Sequence, residues 1–384
     1  MRELNVGLIG YKFMGKAHSN AYRSLRLFFD GDVTVVMKAI CGRDRAAVKS
    51  AAEQFGWESY ETDWRKLVAR PDIDIVDVST PGNVHKEMVI AAAKAGKHVV
   101  CEKPLANTVK DAKDMVRAVK QARVKNMVAY NYRRVPAIAF AKQLIDKGKL
   151  GTIYHWRAVY AQDWITDPNV PLVWRLRKSV AGSGSLGDIG SHIIDLAHYL
   201  IGEIAEVAAT METFIKERPL LDATTGGLSA KSRRGVRKGK VTVDDAVLFL
   251  TRFDNGALGS FEATRFATGR KNHNTFEING SKGSIAFDLE DMNRLSYCDA
   301  TEDRDVQGFR SILVTNATHP YLAAYWPPGH IIGWEHTFIN EVHDLVQAIV
   351  RNKRVRPDFE DALVCQKVMD AVERATKEKR WVKV

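Results

Sequence analysis

Three side chains in this 384-residue chain are of the types that move protons to and from a hydroxyl. Lys103 stands in Cys101-Glu102-Lys103-Pro104, directly after a short apolar run, and Asp188 and His192 stand four residues apart in Gly187-Asp188-Ile189-Gly190-Ser191-His192. An imidazole titrates near neutral pH, so His192 suits a general base. A spacing of four is one helical turn, which places Asp188 on the same face, to orient the ring or to bind a neighbouring hydroxyl. Lys103 falls just past the C-terminal end of a predicted parallel strand, where open α/β sheets bind ligands, and its ammonium can hold or polarise an oxygen. Oxidation of a secondary alcohol needs a proton acceptor, support for the forming oxyanion and a hydride acceptor. These residues supply the first two.

The third requirement points to the N-terminus, which reads Gly7-Leu8-Ile9-Gly10-Tyr11-Lys12-Phe13-Met14-Gly15-Lys16-Ala17-His18. Gly10 and Gly15 occupy the first and third glycine positions of a dinucleotide-binding turn, and the helix that follows offers N–H groups to a pyrophosphate. Lys12 replaces the middle glycine; its Cβ limits backbone approach, while its ammonium can meet a phosphate oxygen. Phe13 and Met14 complete the turn. The second strand ends Cys41-Gly42-Arg43-Asp44. NAD enzymes place an acid at the position of Gly42; here the glycine leaves room, Arg43 can face a 2′-phosphate, and Asp44, one residue further on than the usual acidic ribose ligand, reads more as a helix cap than as that ligand. NADP is therefore favoured over NAD. Thr80, Pro81, His85, Glu102 and Lys103 complete the predicted cofactor wall.

Through about residue 130, short apolar strands alternate with helices of ten to fifteen residues, the grammar of βαβ units on a parallel sheet. Strands are then predicted at Ile153–Tyr160, Glu206–Phe214, Asp245–Phe253, Ala257–Thr264, Thr275–Ile278 and Ser284–Phe287, several joined by glycine turns such as Asp254-Asn255-Gly256. The predicted fold is α/β: an N-terminal Rossmann domain over 1–130, and an α+β domain with a large, mostly antiparallel open sheet over 131–384. Helices are expected at Asp188–Leu200, His336–Arg351 and Phe359–Thr376, the last free to pack back on the first domain. Asn131, Tyr132 and Arg133 follow the last Rossmann strand, and Tyr160, Gln162, Asp163 and Trp164 the first strand of the second sheet. Such amide, hydroxyl, charged and aromatic groups suit a polyhydroxylated ring with an apolar face. Asn131, Tyr132, Arg133, Gln162, Trp164, Asp188 and His192 form the predicted substrate set. An open sheet must cover one face, which predicts a homodimer or homotetramer through it.

The composition, 45% hydrophobic and 27% charged, is that of a globular protein, and no apolar run approaches the roughly 20 residues of a bilayer span. Cys41, Cys101, Cys298 and Cys365 are scattered without metal-ligand spacing, and no metal site is predicted. A reduced, cytoplasmic protein is expected, with no membrane partner. The net charge of +11 is concentrated in residues 216–240, which hold eight Lys and Arg against two acids. No aromatic residues interleave with them, so a nucleic-acid platform is not expected. The segment reads as a solvated loop or an oligomer contact.

Two further motifs, Ser79-Thr80-Pro81-Gly82-Asn83-Val84-His85 and Cys101-Glu102-Lys103-Pro104, resemble the Gfo/Idh/MocA family of sugar and cyclitol oxidoreductases. The resemblance continues through Asn131-Tyr132-Arg133-Arg134 and the Asp188–His192 motif, nearly the whole length. It implies a Rossmann domain followed by an open-sheet domain, and a carbohydrate substrate. Gln162-Asp163-Trp164, Ala181-Gly182-Ser183-Gly184, Glu217-Arg218-Pro219-Leu220 and Val243-Asp244-Asp245 are similar to members acting on a levoglucosan-like pyranose. That likeness implies oxidation of a ring hydroxyl, at the third carbon, to a ketone. Lys12 and Gly42 depart from those members, both at the cofactor. The alternatives are a lyase or epimerase that keeps its cofactor bound and oxidises transiently, or a non-catalytic dinucleotide-responsive regulator. A regulator would have no need of Lys103 and His192, and both are present.

Overall fold

Apolar runs too short for helices become the strands of a fully parallel sheet, because helical crossovers cover both of its faces. The computed structural model describes residues 2–31, 33–220 and 237–384. In chain order the first elements are β1 (Arg2–Ile9), α1 (Phe13–Phe28), β2 (Val33–Cys41), α2 (Arg45–Phe55), β3 (Ser59–Glu61), α3 (Trp64–Ala69), β4 (Ile75–Val78), α4 (His85–Lys94), β5 (His98–Cys101), α5 (Val109–Ala122) and β6 (Asn126–Val128). The six strands lie in the order β3-β2-β1-β4-β5-β6, so the chain reverses direction across the sheet between β1 and β4. Loops at the C-terminal ends of those two strands flank the crevice in which such sheets bind nucleotides. The Rossmann expectation holds.

The second set comprises α6 (Pro136–Asp146), β7 (Ile153–Ala161), α7 (Lys178–Ala181), α8 (Ser191–Leu200), β8 (Ile204–Glu212), β9 (Glu217–Pro219), β10 (Lys238–Lys240), β11 (Ala246–Phe253), β12 (Leu258–Thr264), β13 (His273–Gly280), β14 (Gly283–Asp288), β15 (Arg294–Asp299) and β16 (Arg310–Leu313). The chain closes with α9 (Glu335–Val350), α10 (Phe359–Glu378) and β17 (Val382–Lys383). Nine strands form one sheet, β16-β15-β14-β13-β7-β12-β11-β8-β17, antiparallel except where β7 runs parallel to β12. Alternation decides its faces: along β11, Val247, Phe249, Thr251 and Phe253 are buried while Leu248, Leu250 and Arg252 are exposed. On the buried face Trp156 stacks on Phe276 at 5.1 Å, and Phe249 on Phe261 at 4.4 Å.

Two units result. One holds residues 1–136 and 315–364, the other 137–314 and 365–384. The first thus contains α9, whose Phe338, Ile339, Val342, Leu345 and Val346 join a core with Leu4 and Val6 of β1 and Ala21, Tyr22 and Leu25 of α1. The expected helix over Asp188–Leu200 differs at its start. Leu186–Gly190 form a π-helical turn, and the α-helix begins only at Ser191. Asp188 and His192 are therefore not one regular α-turn apart, because the wider turn rotates Asp188 relative to the helix that carries His192.

Candidate active site

In the first unit, backbone geometry makes both fingerprint glycines necessary. Gly10 has φ +115°, and a Cβ there would lie 2.5 Å from the Ser79 carbonyl oxygen. A Cβ on Gly15 would lie 2.2 Å from the Gly10 carbonyl oxygen. Both spaces can hold only hydrogen, so glycine at these positions permits the tight turn and the close packing of α1 against it. Lys12 has φ −79°, which any residue adopts, and its side chain is exposed. The lysine therefore fits the turn without strain. Phe13 is 62% exposed and stacks on Trp334 at 5.6 Å, while Met14 is half-buried. At the end of β2, the Asp44 carboxylate caps α2 by accepting the Ala47 N–H at 3.0 Å, and Arg43 is exposed. A Cβ on Gly42 would strike the Tyr11 ring at 2.1 Å. The room that Gly42 leaves is therefore occupied by Tyr11.

Beyond β4 and β5 the predicted wall residues are pinned by backbone contacts. His85 is buried, with its ring nitrogens 2.7 Å from the Thr80 carbonyl and 3.1 Å from that of Leu105. It ties the two loops together, with Pro81 leading into the helical turn between them. Glu102 accepts the Lys103 N–H at 3.0 Å, and the Lys103–Pro104 bond is cis.

Beneath these loops lies a buried ionic chain. His18 of α1 places Nδ1 2.7 Å from Asp77 and Nε2 3.0 Å from Glu102. Tyr22 donates to the same Asp77 oxygen at 2.8 Å, and Ser79 donates to the other at 3.2 Å. Burial alone lowers the imidazole pKa, but Asp77 and Glu102 outweigh it and hold His18 well above its ordinary value. Glu341 of α9 is pushed up to about 8 by burial, against the pull of Arg134. The sequence carries one signal for this chain: Asp77 is the single charge in the wholly buried run Ile75-Val76-Asp77-Val78.

After β6, Asn131 donates its amide to Thr337 at 2.8 Å, and Tyr132 and Arg133 are buried. Arg134, fully buried, donates Nε to Asp344 at 3.1 Å and Nη2 to the Arg356 carbonyl at 2.6 Å. Asn131 and Arg134 both have side-chain donors engaged within the first unit.

In the second unit, Asp244 organises the glycine-rich approach to Asp188. Its carboxylate accepts Gly184 N–H at 2.6 Å, Ser185 Oγ–H at 2.6 Å and Leu186 N–H at 2.8 Å. A Cβ on Gly184 would lie 1.8 Å from the Asp244 carbonyl oxygen, so glycine is needed there too. Arg265, fully buried, donates to the Asp244 carbonyl at 2.9 Å and places Nη1 3.6 Å from the Asp188 carboxylate. Its guanidinium also lies 5.5 Å from the Trp164 ring centre. Trp164 and Asp188, predicted together, thus meet through Arg265, which no motif had marked. His192 is buried, with its ring 6.0 Å from that of Tyr160. Tyr160 and Gln162 both donate to Asn272 Oδ1, at 2.7 and 2.9 Å. Asn272, likewise unmarked in the sequence, aligns the two. Asp163 turns away to Lys271 at 2.6 Å and the Gly269 N–H at 3.0 Å.

Lys103 belongs to the first unit and Asp188 and His192 to the second. In the basic stretch, Arg218 is a correction: it is fully buried and donates to the Asp167 and Ile165 carbonyls, so it is not part of a solvated loop. Lys231, Arg233 and Arg234 lie outside the described residues. Among the described residues, His273, Asp288 and Glu290 bring metal-ligand atoms within 4.8 Å of one another. Glu290 already accepts the Asn272 N–H at 3.0 Å, and Arg270 lies 3.9 Å from it. No helix among the described residues is long and apolar enough to cross a membrane.

Comparison with known proteins adds to this geometry. A family model described as "Oxidoreductase family, NAD-binding Rossmann fold" matches residues 4–130, and one described as "GFO/IDH/MocA C-terminal domain" matches residues 138–286. The chain is 46% identical to levoglucosan dehydrogenase of Pseudarthrobacter phenanthrenivorans, across 100% of this chain and 99% of that protein. A structure of levoglucosan dehydrogenase in complex with NADH and levoglucosan matches with a TM-score of 0.94 at 45% identity, covering 100% of this chain and 99% of that one. An oxidoreductase domain protein from Kribbella flavida matches with a TM-score of 0.95 at 53% identity, covering 100% of both chains.

Proposed function

The chain belongs to the Gfo/Idh/MocA oxidoreductases, and from that premise we propose that it oxidises a secondary ring hydroxyl of a pyranose, a levoglucosan-like sugar, at its third carbon. The observation that carries the reading is the pinned Lys103: its backbone is fixed by Glu102 just past β5, in the same unit as the glycine turn. Gly10 and Gly15, whose surroundings leave no room for a Cβ, build the tight turn that opens α1, and the N-terminus of that helix fits a dinucleotide pyrophosphate. When bound, the nicotinamide supplies a hydride acceptor. In this reading the Lys103 ammonium holds the substrate oxygen, His192 takes the hydroxyl proton, and Asp188 binds a neighbouring hydroxyl. Arg265, 3.6 Å from Asp188, orients that carboxylate. Gln162, Trp164, Tyr132 and Arg133 complete the proposed sugar contacts, with Trp164 as the apolar platform.

NADP is the favoured cofactor on charge. No acid follows β2 at Gly42, Asp44 is committed to its cap, and Arg43 is exposed. NAD is the second reading, favoured by Tyr11, whose ring fills the space beside Gly42 that a 2′-phosphate would use. Initial rates with NAD and NADP against levoglucosan, glucose and myo-inositol test both proposals. Reduction with levoglucosan supports the dehydrogenase. No turnover of any sugar by protein that binds a dinucleotide would overturn it, and the ratio of kcat/KM for the two cofactors decides between the cofactor readings.

For assembly, we propose pairing of copies through the outer sheet face, where Leu248, Leu250 and Leu258 are exposed on β11 and β12. Three large apolar side chains on adjacent strands form a patch of the kind that subunits cover.

A further inference from the structure

His18 is used by nothing in the proposed chemistry, yet it is held more completely than any residue of the cofactor turn. It lies on α1, is 3% exposed, and stands between two carboxylates from two different strand ends. Ionised carboxylates only accept hydrogen bonds, so two of them on one ring require both nitrogens to donate. A neutral ring would leave one nitrogen lone pair facing a carboxylate oxygen at bonding distance. The imidazolium satisfies both. Asp77 is otherwise bound by Tyr22 and Ser79, and the second oxygen of Glu102 takes the Lys103 N–H. A continuous chain of charge-assisted hydrogen bonds therefore runs from the helix that opens the dinucleotide turn to the backbone of the lysine.

We propose that His18 is a positioning residue: as an imidazolium clamped between Asp77 and Glu102, it fixes the Glu102 carboxylate that holds Lys103, and so couples the dinucleotide-binding helix to the catalytic loop. This rests on the role given to Lys103 above. Around the ring stand Asp77 on β4, with Tyr22 of α1 bonded to it, Ser79 with its hydroxyl 3.4 Å from Nδ1, Glu102 after β5 and, from α9, Glu341 and the Phe338 ring at 5.5 Å. The raised pKa of His18 agrees with the charge state that the geometry requires.

Nitrogen NMR of histidine-labelled full-length protein reads the charge directly. His18 is expected to show two protonated nitrogens at pH 8, where an ordinary histidine is neutral. A neutral His18 ring at pH 8 would overturn the proposal, whether or not the protein turns over any sugar. The kinetic arm uses His18→Gln, Glu102→Gln and the double variant, with dinucleotide affinity followed by nicotinamide fluorescence. His18→Gln is expected to lower kcat by about thirtyfold or more while KM and dinucleotide affinity stay within about threefold. The double variant is expected to be no worse than the poorer single one, because both substitutions break the same chain. A His18→Gln protein with a lowered melting temperature but unchanged kcat would assign the histidine to folding alone. Wild-type protein that is inactive toward sugars but shows the His18 imidazolium would overturn the dehydrogenase reading and leave the clamp standing.

Discussion

A lysine, a histidine and an aspartate carry the proposed chemistry. Lys103→Met and His192→Ala are each expected to cut kcat by at least about a hundredfold, measured at saturating sugar and dinucleotide. Near-normal turnover in either variant would remove that residue from the mechanism. A second residue-scale prediction concerns Glu341, whose carboxyl is raised to about 8 by burial, against the pull of Arg134 and His18. The folded protein keeps a proton there that the unfolded chain has already released. Stability therefore falls as pH rises from the ordinary carboxylate range toward that value. Glu341→Gln carries no such proton, so its melting temperature is expected to decline less steeply between about pH 5 and pH 8 than that of the wild type. Equal slopes would show that Glu341 is ionised in the folded state.

At the scale of elements, one carboxylate organises the turn that presents Asp188. Asp244 satisfies two backbone N–H groups and one hydroxyl at the start of the π-helical turn. Removing an acceptor from buried donors costs about 1–3 kcal/mol for each group left unsatisfied. Asp244→Ala should therefore lower unfolding free energy by about 3 kcal/mol or more in denaturant titration, and lower kcat as well, since Asp188 loses its support. Asp244→Asn keeps one acceptor oxygen and should lose less of both. A variant that unfolds like the wild type would show that the turn is set by Arg265 and Gly184 instead. Much of this level was legible beforehand. Alternation marked β7, β11 and β12, and periodicity marked α9 and α10, within a few residues of their observed bounds. Three-residue strands such as β3 and β9 were not legible, because they are too short to show a period. The π-helical turn escaped too, because no residue type in Leu186-Gly187-Asp188-Ile189-Gly190 signals an i→i+5 ladder.

For the whole molecule, the apolar outer face of the nine-stranded sheet gives the proposed assembly its test. Light scattering at micromolar concentration is expected to show a dimer or tetramer, and Leu250→Glu, which buries a charge in the contact, to shift it toward monomer. A wild-type monomer would send that face to some other role. The chain order alone determined that a Rossmann unit comes first and a mostly antiparallel sheet follows, because the periods of the apolar residues differ between the two. It also marked the cofactor turn, Lys103, and the Asp188 and His192 pair, because glycine, lysine and histidine carry their chemistry in their types. Tertiary structure alone decided which side chains hold these groups. Arg265 is 77 residues from Asp188, Asp77 is 59 from His18, and Asn272 is 110 from Gln162. Such partners are chosen by sheet register and helix packing, and no local pattern records them. Tyr11 shows the same limit at short range: the sequence offered Gly42 as open space, and only the folded chain laid an aromatic ring against it.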